Sequence, residues 1–187
     1  MTGPGTPELL GFDERHRTGG GYPVLDGKAR TLATVFPSFW FSRFAATDAQ
    51  GEPLCRGKAR LISGWRAFRP DGKQLLLLRV GVPRRLRTIL RGGELECRSI
   101  GRILTKEWYL QALDGRTLLQ AVPHTEKSPF PPDVWVIRSD GTLSLAEAVS
   151  VVELHRLEYK RKRRRHPAAR TRMKPFTIGA GGAPRIG

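Results

Sequence analysis

From about Tyr22 to residue 140, short apolar segments rich in β-branched, aromatic and Leu residues alternate with polar turns. Five of the six turns contain an Asp-Gly or Gly-Gly pair and the sixth reads Asp-Ala-Gln-Gly; Gly in these turns readily adopts the positive φ angles of tight hairpins. They recur every 21 to 26 residues and begin at Asp26, Asp48, Asp71, Gly92, Asp114 and Asp140. Six hairpins predict about twelve strands, and closing them into a barrel removes the exposed edges of a flat sheet. The pattern therefore predicts a mainly β fold, a closed antiparallel barrel of about twelve strands.

After the last turn, the apolar residues recur with the spacing of a helix and no longer alternate as in a strand. The sequence Ser-Leu-Ala-Glu at 144–147 matches a capping box, in which the Ser and the Glu each bond the backbone N–H of the other. Apolar side chains then cover most of the circumference, and Glu147, Glu153 and His155 lie on the narrow polar face that remains. A helix that is apolar nearly all round is buried. We therefore predict a C-terminal hydrophobic helix over about 144–158 in the centre of the barrel.

The composition divides the chain into three parts. Residues 1–21 are dominated by Gly, Pro, Thr and charge and end in three glycines, which predicts a flexible N-terminal arm. Residues 22–159 form the predicted barrel with its helix. Residues 160–187 combine a basic segment with a Gly- and Pro-containing tail, which predicts a disordered C-terminal arm.

Charge is concentrated near the C-terminus. The chain has 33 Lys and Arg against 17 Asp and Glu, a net charge of +16, and residues 156–187 contain 11 of the basic residues but one acid, Glu158. Six adjacent cations from Lys160 to Arg165 must be solvated or bound, because one acid cannot neutralise them. A second basic segment contains Arg84, Arg85 and Arg87. It either joins the same cationic field or protects an exposed strand against association.

Signatures of catalysis or of a metal site are absent from the sequence. It contains no G-x-S-x-G elbow, P-loop or H-E-x-x-H motif. The four histidines are scattered, and Cys55 and Cys97 have neither C-x-x-C spacing nor a nearby His at ligand spacing. The first thirty residues lack the apolar core of a signal peptide. We therefore expect a cytoplasmic protein that is not an enzyme and needs no cofactor or metal.

Three segments resemble the tubby C-terminal-like superfamily, which includes the LURP-one-related proteins and the phospholipid scramblases. They are residues 41–51, the repeat at 108–115 and the helix from Ser144, and the resemblance extends over about residues 22–160. The chain looks like a divergent, bacterial-type member. The resemblance implies a closed twelve-stranded barrel around a central hydrophobic helix.

The chain departs from the scramblases in lacking their Cys-rich segment, their proline-rich arm and a calcium-loop acidic cluster. Calcium-dependent lipid scrambling is therefore not expected. Some members of the superfamily bind phosphoinositides through basic residues on the barrel surface. No individual residue of that kind is matched to this chain.

These observations predict a lipid-binding protein peripheral to the inner face of the membrane, which docks on anionic phospholipid surfaces by electrostatic attraction. The residues predicted to bind the anionic ligand are Lys160, Arg161, Lys162, Arg163, Arg164, Arg165, Arg84, Arg85 and Arg87. Two alternatives stay open. One is non-sequence-specific binding of RNA, DNA or a ribonucleoprotein, because the same cations neutralise phosphates. The other is a structural role in a larger protein assembly through residues 166–187.

Five aromatic residues occur between Phe36 and Phe44. Aromatic side chains this dense in a strand pair are predicted to belong mainly to the barrel core. Because aromatics occupy both faces of the strand between Phe39 and Phe44, one or two rings are expected to be exposed, where they could stack on bases.

Overall fold

The structure, a computed structural model, describes residues 9–14, 19–38, 42–59, 64–80, 86–101, 107–123 and 134–165, with side chains through Glu158 in the last range. These residues form twelve strands and one long helix. The strands are β1 Leu9–Asp13, β2 Tyr22–Asp26, β3 Thr31–Pro37, β4 Arg43–Asp48, β5 Pro53–Ala59, β6 Trp65–Phe68, β7 Gln74–Val80, β8 Leu86–Leu90, β9 Leu95–Gly101, β10 Trp108–Ala112, β11 Thr117–Pro123 and β12 Val134–Ser139. The helix α1 spans Leu145–Arg165, and a 3-10 turn at Arg91–Gly93 connects β8 to β9.

The strands form one closed antiparallel barrel. Each strand pairs with its neighbours in sequence, and β12 pairs with β1, where Leu10 lies opposite Ile137. Closure leaves no sheet edge among the described strands, which confirms the predicted barrel and its strand number.

The N-terminal boundary of the barrel is earlier than predicted. Strand β1 lies inside residues 1–21, so the prediction of a flexible arm is wrong for residues 9–13. Leu10 and Phe12 are fully buried, and their alternation with outward-facing residues is a strand signal too short to stand out among Gly and charge. The turn at Asp140 connects β12 to α1 and not two strands. The predicted number of strands is therefore confirmed, but the prediction that the Asp140 turn joins two strands is wrong.

The two ends of the barrel differ. At the end that we call the turn end, the Asp-containing turns join even-numbered strands to the next strand. In these turns the Asp carboxylate accepts a backbone N–H two residues ahead, as Asp71 does from Lys73 and Asp114 from Arg116, both at 2.9 Å. Gly72 and Gly115 have φ angles of 84° and 90°, which an L side chain rarely adopts. The opposite end, where odd-numbered strands lead to the next strand, is called the loop end.

Helix α1 runs through the barrel from the turn end to the loop end. The predicted capping box is confirmed: Ser144 N donates to Glu147 Oε2 at 2.8 Å, and Glu147 N donates to Ser144 Oγ at 3.4 Å. Arg91 anchors this start, because its Nε donates to Glu147 Oε1 at 3.0 Å and its Nη2 donates to the Thr142 carbonyl at 2.9 Å. The helix continues past the predicted central segment to Arg165, so the prediction of a disordered arm from residue 160 is wrong for residues 160–165.

The polar side chains of α1 are buried along with the apolar ones. The sequence predicts Glu147, Glu153 and His155 on a polar face, but these residues are only 1%, 2% and 7% exposed. His155 Nε2 lies 2.6 Å from Ser99 Oγ, and its ring stacks on Trp108 with the centroids 4.2 Å apart. The helix does not have a solvent-facing side here, because the barrel surrounds it completely.

A buried charge cluster fixes α1 near the loop end. Arg156 Nη2 lies 2.6 Å from Glu14 Oε1, and Arg156 also contacts Glu153 and the hydroxyl of Tyr22. Tyr22 in turn donates to Glu153. Burial alone would lower the pKa of Arg156, but the neighbouring Tyr22, Glu153 and Glu14 raise it above its ordinary value. The guanidinium therefore stays charged and sets the helix register inside the barrel.

Candidate anion-binding surface

The outer face of the barrel is divided by charge. Strands β4 to β9, half of the circumference, carry seven cations that point outward, and among the described residues of this face Glu96 is the one acid. We call this surface the basic wall; it consists of Arg43, Arg56, Lys58, Arg66, Arg79, Arg87 and Arg98. In the described part of the other six strands, Arg138 is the one outward-facing cation. The barrel is therefore cationic on one side.

A groove of about 610 Å³ crosses the basic wall on β3 to β6. One row of directly opposed residues runs across it: Phe36 faces Ala45, Ala45 faces Arg56, and Arg56 faces Phe68. With strands about 4.8 Å apart, the Cα atoms of Phe36 and Phe68 lie roughly 14 Å apart across the groove. The small side chain of Ala45 leaves the space between them open, and Arg56 lies in that space.

A row of three cations begins in the groove and extends beyond it on β6. Arg43 lies opposite Lys58, and Lys58 lies opposite Arg66. Lys58 Nζ lies over the Phe68 ring, 5.5 Å from its centroid, so it links the cationic row to the aromatic wall. The Nε of Arg66 is buried and has no hydrogen-bond partner among the described residues. Arg43 and Lys58 therefore present donors to any anion that enters the groove, and Arg66 adds charge beside it.

Strand β5, at the base of the groove, packs tightly against the barrel core. Gly57 lies between Arg56 and Lys58 in the sequence, and Phe44 crosses it on the inner face. A Cβ on Gly57 would lie 2.1 Å from Cε1 of Phe44, so no side chain fits there. Ser38 Oγ accepts the backbone N–H of Arg43 at 3.1 Å and fixes the start of β4.

The residues predicted from sequence fall in three places. Arg87 belongs to the basic wall, is exposed, and lies 3.4 Å from Glu96. Arg84 and Arg85 lie outside the described residues. Lys160 to Arg165 belong to the last turns of α1, where the backbone alone is described. Residues 166–187, proposed as an assembly arm, also lie outside the described residues.

The basic end of α1 leaves the barrel beside the basic wall. Trp65, the first residue of β6, donates its indole N–H to Glu158 at 2.9 Å, and the next residue of the strand is Arg66. At 1.5 Å per residue, the helix extends about 10 Å from Glu158 to Arg165. The predicted Lys160–Arg165 segment therefore leaves the barrel at the loop end, near the row of cations formed by Arg43, Lys58 and Arg66.

Sequence reasoning missed most of the wall. Arg43, Arg56, Lys58 and Arg66 are separated by up to 23 residues and form no run that stands out in the sequence. Of the rings between Phe39 and Phe44, one or two of which were expected to be exposed, Phe44 is 3% exposed and belongs to the core, while Phe36, outside that range, is 37% exposed. Phe39, Trp40 and Phe41 lie outside the described residues.

Within the described residues, α1 is not apolar enough over a sufficient length to cross a bilayer. The same part of the chain contains no group of three His, Cys, Asp or Glu side chains placed to hold a metal ion. Burial raises the pKa of Cys55 and of Cys97 to about 11, so both thiols are protonated at neutral pH.

Comparison with known proteins identifies the fold. The chain is similar to the X-ray structure of the Arabidopsis thaliana protein AT5G01750, with a TM-score of 0.58 over 84% of this chain and 94% of that one, at 16% sequence identity. No protein-family model and no curated protein matches the chain. At this identity the similarity establishes a shared fold, a barrel around a helix, which agrees with the architecture implied by the tubby-like resemblance.

Proposed function

We propose that this protein is a non-enzymatic, cytoplasmic binding protein of the tubby-like, LURP-one-related type, which docks on anionic phospholipid surfaces through the basic wall and the Lys160–Arg165 segment. The observation that carries the proposal is the one-sided distribution of charge. Seven outward cations lie on six adjacent strands, and the basic helix end emerges next to them.

The turn end faces away from the surface in this arrangement. It carries the carboxylates of the Asp turns together with cations such as Lys28, Arg69 and Arg116. Opposite charges are mixed there, so the turn end has little net attraction for an anionic surface. The loop end and the basic wall therefore set the orientation of docking.

The magnitude follows from the number of cations that reach the surface. Each Lys or Arg close to anionic lipid contributes about 1 kcal/mol. Three cations of the groove therefore contribute about 3 kcal/mol, or roughly 100-fold in affinity, and the six of Lys160–Arg165 contribute about 6 kcal/mol.

Binding to vesicles of phosphatidylcholine with phosphatidylserine, measured by co-sedimentation at physiological salt, tests the proposal. The groove variant is R43Q/R56Q/K58Q. The matched control at the turn end is R69Q/R116Q/K28Q, which also removes three positive charges. We expect the groove variant to bind roughly 100-fold more weakly and the control to stay within about threefold of the wild type.

A variant with Lys160–Arg165 replaced by Gln should lose binding while its thermal unfolding midpoint stays unchanged, because these residues follow the buried part of α1. Equal losses in the groove variant and in the turn-end control would show that net charge alone drives adsorption. Unchanged binding after neutralisation of Lys160–Arg165 would remove that segment from the proposal.

Single-stranded nucleic acid is the second candidate ligand, and the aromatic sides of the groove favour it. Phe36 is exposed and Phe68 is half-buried beside Arg56, so bases could stack where phosphates are neutralised. Excess RNA or DNA added to the vesicle assay separates the two. Retention on the vesicles supports lipid docking, and complete displacement supports nucleic-acid binding.

A further inference from the structure

Three arginines lie side by side on adjacent strands of the basic wall, outside the groove. Arg79 on β7 is directly opposite Arg87 on β8, and Arg87 is directly opposite Arg98 on β9. We call this set the arginine row. All three side chains are exposed, and the pairing of β7, β8 and β9 is regular, without a bulge. The three Cα atoms therefore lie side by side across about 10 Å of the barrel wall.

The arginine row is unfavourable for the barrel by itself. Directly opposed residues of an antiparallel pair have Cβ atoms roughly 5 Å apart, and like charges at this separation destabilise the sheet. In the described part of the chain the row has one acidic partner, Glu96, which lies diagonal to it and pairs with Arg87 at 3.4 Å. Arg79 and Arg98 have no ion pair with a described residue. One carboxylate against three guanidinium groups leaves two positive charges without compensation.

The surroundings leave the row open on one side and provide a polar neighbour on the other. On the β6 side, the residue beside Arg79 is Gly64, whose φ is 84° and where a Cβ would meet the Leu78 carbonyl oxygen at 2.0 Å. No side chain can cover Arg79 from that position. On the β10 side, Gln111 lies opposite Arg98 and adds an amide to the line. Arg66 lies opposite Leu77 and is therefore diagonal to Arg79, whereas the cations that line the groove, Arg43, Arg56 and Lys58, lie on β4 and β5, on the far side of β6.

We propose that the arginine row is a binding site for a phosphate group with two or more negative charges, a phosphomonoester or a pyrophosphate. Each guanidinium can donate two parallel hydrogen bonds to such an anion, and three long side chains on adjacent strands supply enough donors and charge for it. The anion relieves the repulsion within the row, which explains why three arginines occupy opposed positions of one sheet. The phosphate is free in solution or belongs to a lipid head group; in the second case the site deepens the proposed docking function.

The test compares three double variants that each remove two arginines. R79Q/R98Q disrupts the row, R43Q/R56Q disrupts the groove, and R69Q/R116Q is the control at the turn end. Pyrophosphate is titrated calorimetrically into each purified full-length protein. We expect at least tenfold weaker binding in R79Q/R98Q and a change below about threefold in the other two. Without ligand, R79Q/R98Q should unfold at the same temperature as the wild type or higher, because repulsion has been removed.

Vesicles test the lipid source of the phosphate. Phosphatidic acid and phosphatidylserine are compared at equal surface charge, since the first presents a phosphomonoester and the second a diester. Preference for phosphatidic acid that disappears in R79Q/R98Q supports the site with a lipid ligand, even where pyrophosphate fails to bind. Pyrophosphate binding that depends on the row, without any vesicle binding, supports the site and contradicts the docking function.

Two results would overturn the arginine row as a phosphate site. In the first, R43Q/R56Q loses pyrophosphate binding and R79Q/R98Q retains it, which would assign the phosphate to the groove. In the second, pyrophosphate does not bind and the protein binds both kinds of vesicle equally. Docking on anionic lipid would then stand, but the arginine row would contribute only non-specific positive charge.

Discussion

Replacing Gly57 by Ala tests whether the groove is built on a strand that tolerates no side chain. The Cβ added at this position would lie 2.1, 2.7 and 2.9 Å from three ring carbons of Phe44. Phe44 is 3% exposed within the core, so its ring cannot swing out to solvent. The collision must be absorbed by the ring, by β4 or by β5, which carries Arg56 and Lys58.

The sign of the change in unfolding free energy distinguishes a collision with Phe44 from the usual effect of replacing Gly by Ala. Gly57 lacks a positive φ, and a Gly to Ala change in a compatible conformation stabilises a protein by about 0.4–1 kcal/mol. Overpacking of a filled core costs about 1–3 kcal/mol. We therefore expect net destabilisation of about 1–2 kcal/mol, which lowers the unfolding midpoint of a chain of this size by roughly 2–8 °C.

Thermal and urea unfolding, followed by circular dichroism, measure this effect in a double-mutant cycle with Phe44→Leu. The smaller side chain makes room at Gly57, so G57A should cost less in the F44L background than in the wild type. G57A should also weaken vesicle binding, because displacement of β5 moves Arg56 and Lys58 relative to Arg43. An unchanged or raised midpoint for G57A, or equal costs in both backgrounds, would refute the packing argument.

Two further predictions concern titratable groups. Burial raises the pKa of Glu147, but hydrogen bonds from Arg91 and Ser144 outweigh it and hold that pKa below the ordinary value. The stabilisation by ionised Glu147 is therefore fully present above the pKa of the unfolded chain and is lost as the pH falls through the lower pKa of the folded protein. Urea unfolding from pH 7 to pH 3 should show the unfolding free energies of the wild type and E147Q converging at the acid end. A difference in unfolding free energy that stays constant over this range would contradict the prediction. Because burial raises the pKa of Cys55 and Cys97 to about 11, both thiols should resist a disulfide reagent at pH 8 in the native protein and react at once in denaturant; rapid reaction in the native state would show that the barrel opens.

The fold was predictable where its signals are local. An Asp that caps its own turn, followed by Gly with positive φ, is encoded within four residues, and Asp71 and Asp114 behave as the sequence predicts. The capping box at Ser144 and Glu147 is local as well. Strand β1 was missed because it has five residues among Gly and charge, no Asp-Gly turn joins it to its partner β2, and its other partner, β12, lies more than 120 residues away.

The charged side chains of α1 show a different limit. Sequence periodicity separates an apolar stripe from a polar one, and it assigns the polar stripe to solvent. Glu153 and Arg156 are buried because Tyr22 and Glu14, distant in sequence, complete a cluster with them. Whether a buried charge has a partner is decided by tertiary contacts that periodicity does not contain.

The basic wall could not be recognised in the sequence, because strand pairing alone brings its cations together. Alternation along a strand tells which residues share a face, but adjacency across strands depends on where each hairpin folds back. Arg87 and Arg98 are equally distant from the Gly92-Gly93 turn, so a regular hairpin there brings them face to face. That part of the arginine row could have been derived from the sequence by reflecting the strand about its turn.

The same reflection fails at other turns, because a single extra residue moves every later side chain to the opposite face. The register of β4 and β5 shifts between Ala46 and Thr47, and that of β6 and β7 shifts between Ala67 and Phe68. Both irregularities lie beside the groove, where reflection about the Asp48 and Asp71 turns would assign partners one residue out of place. The arginine row lies on three strands without such a shift, so its three cations are fixed in line by backbone pairing alone.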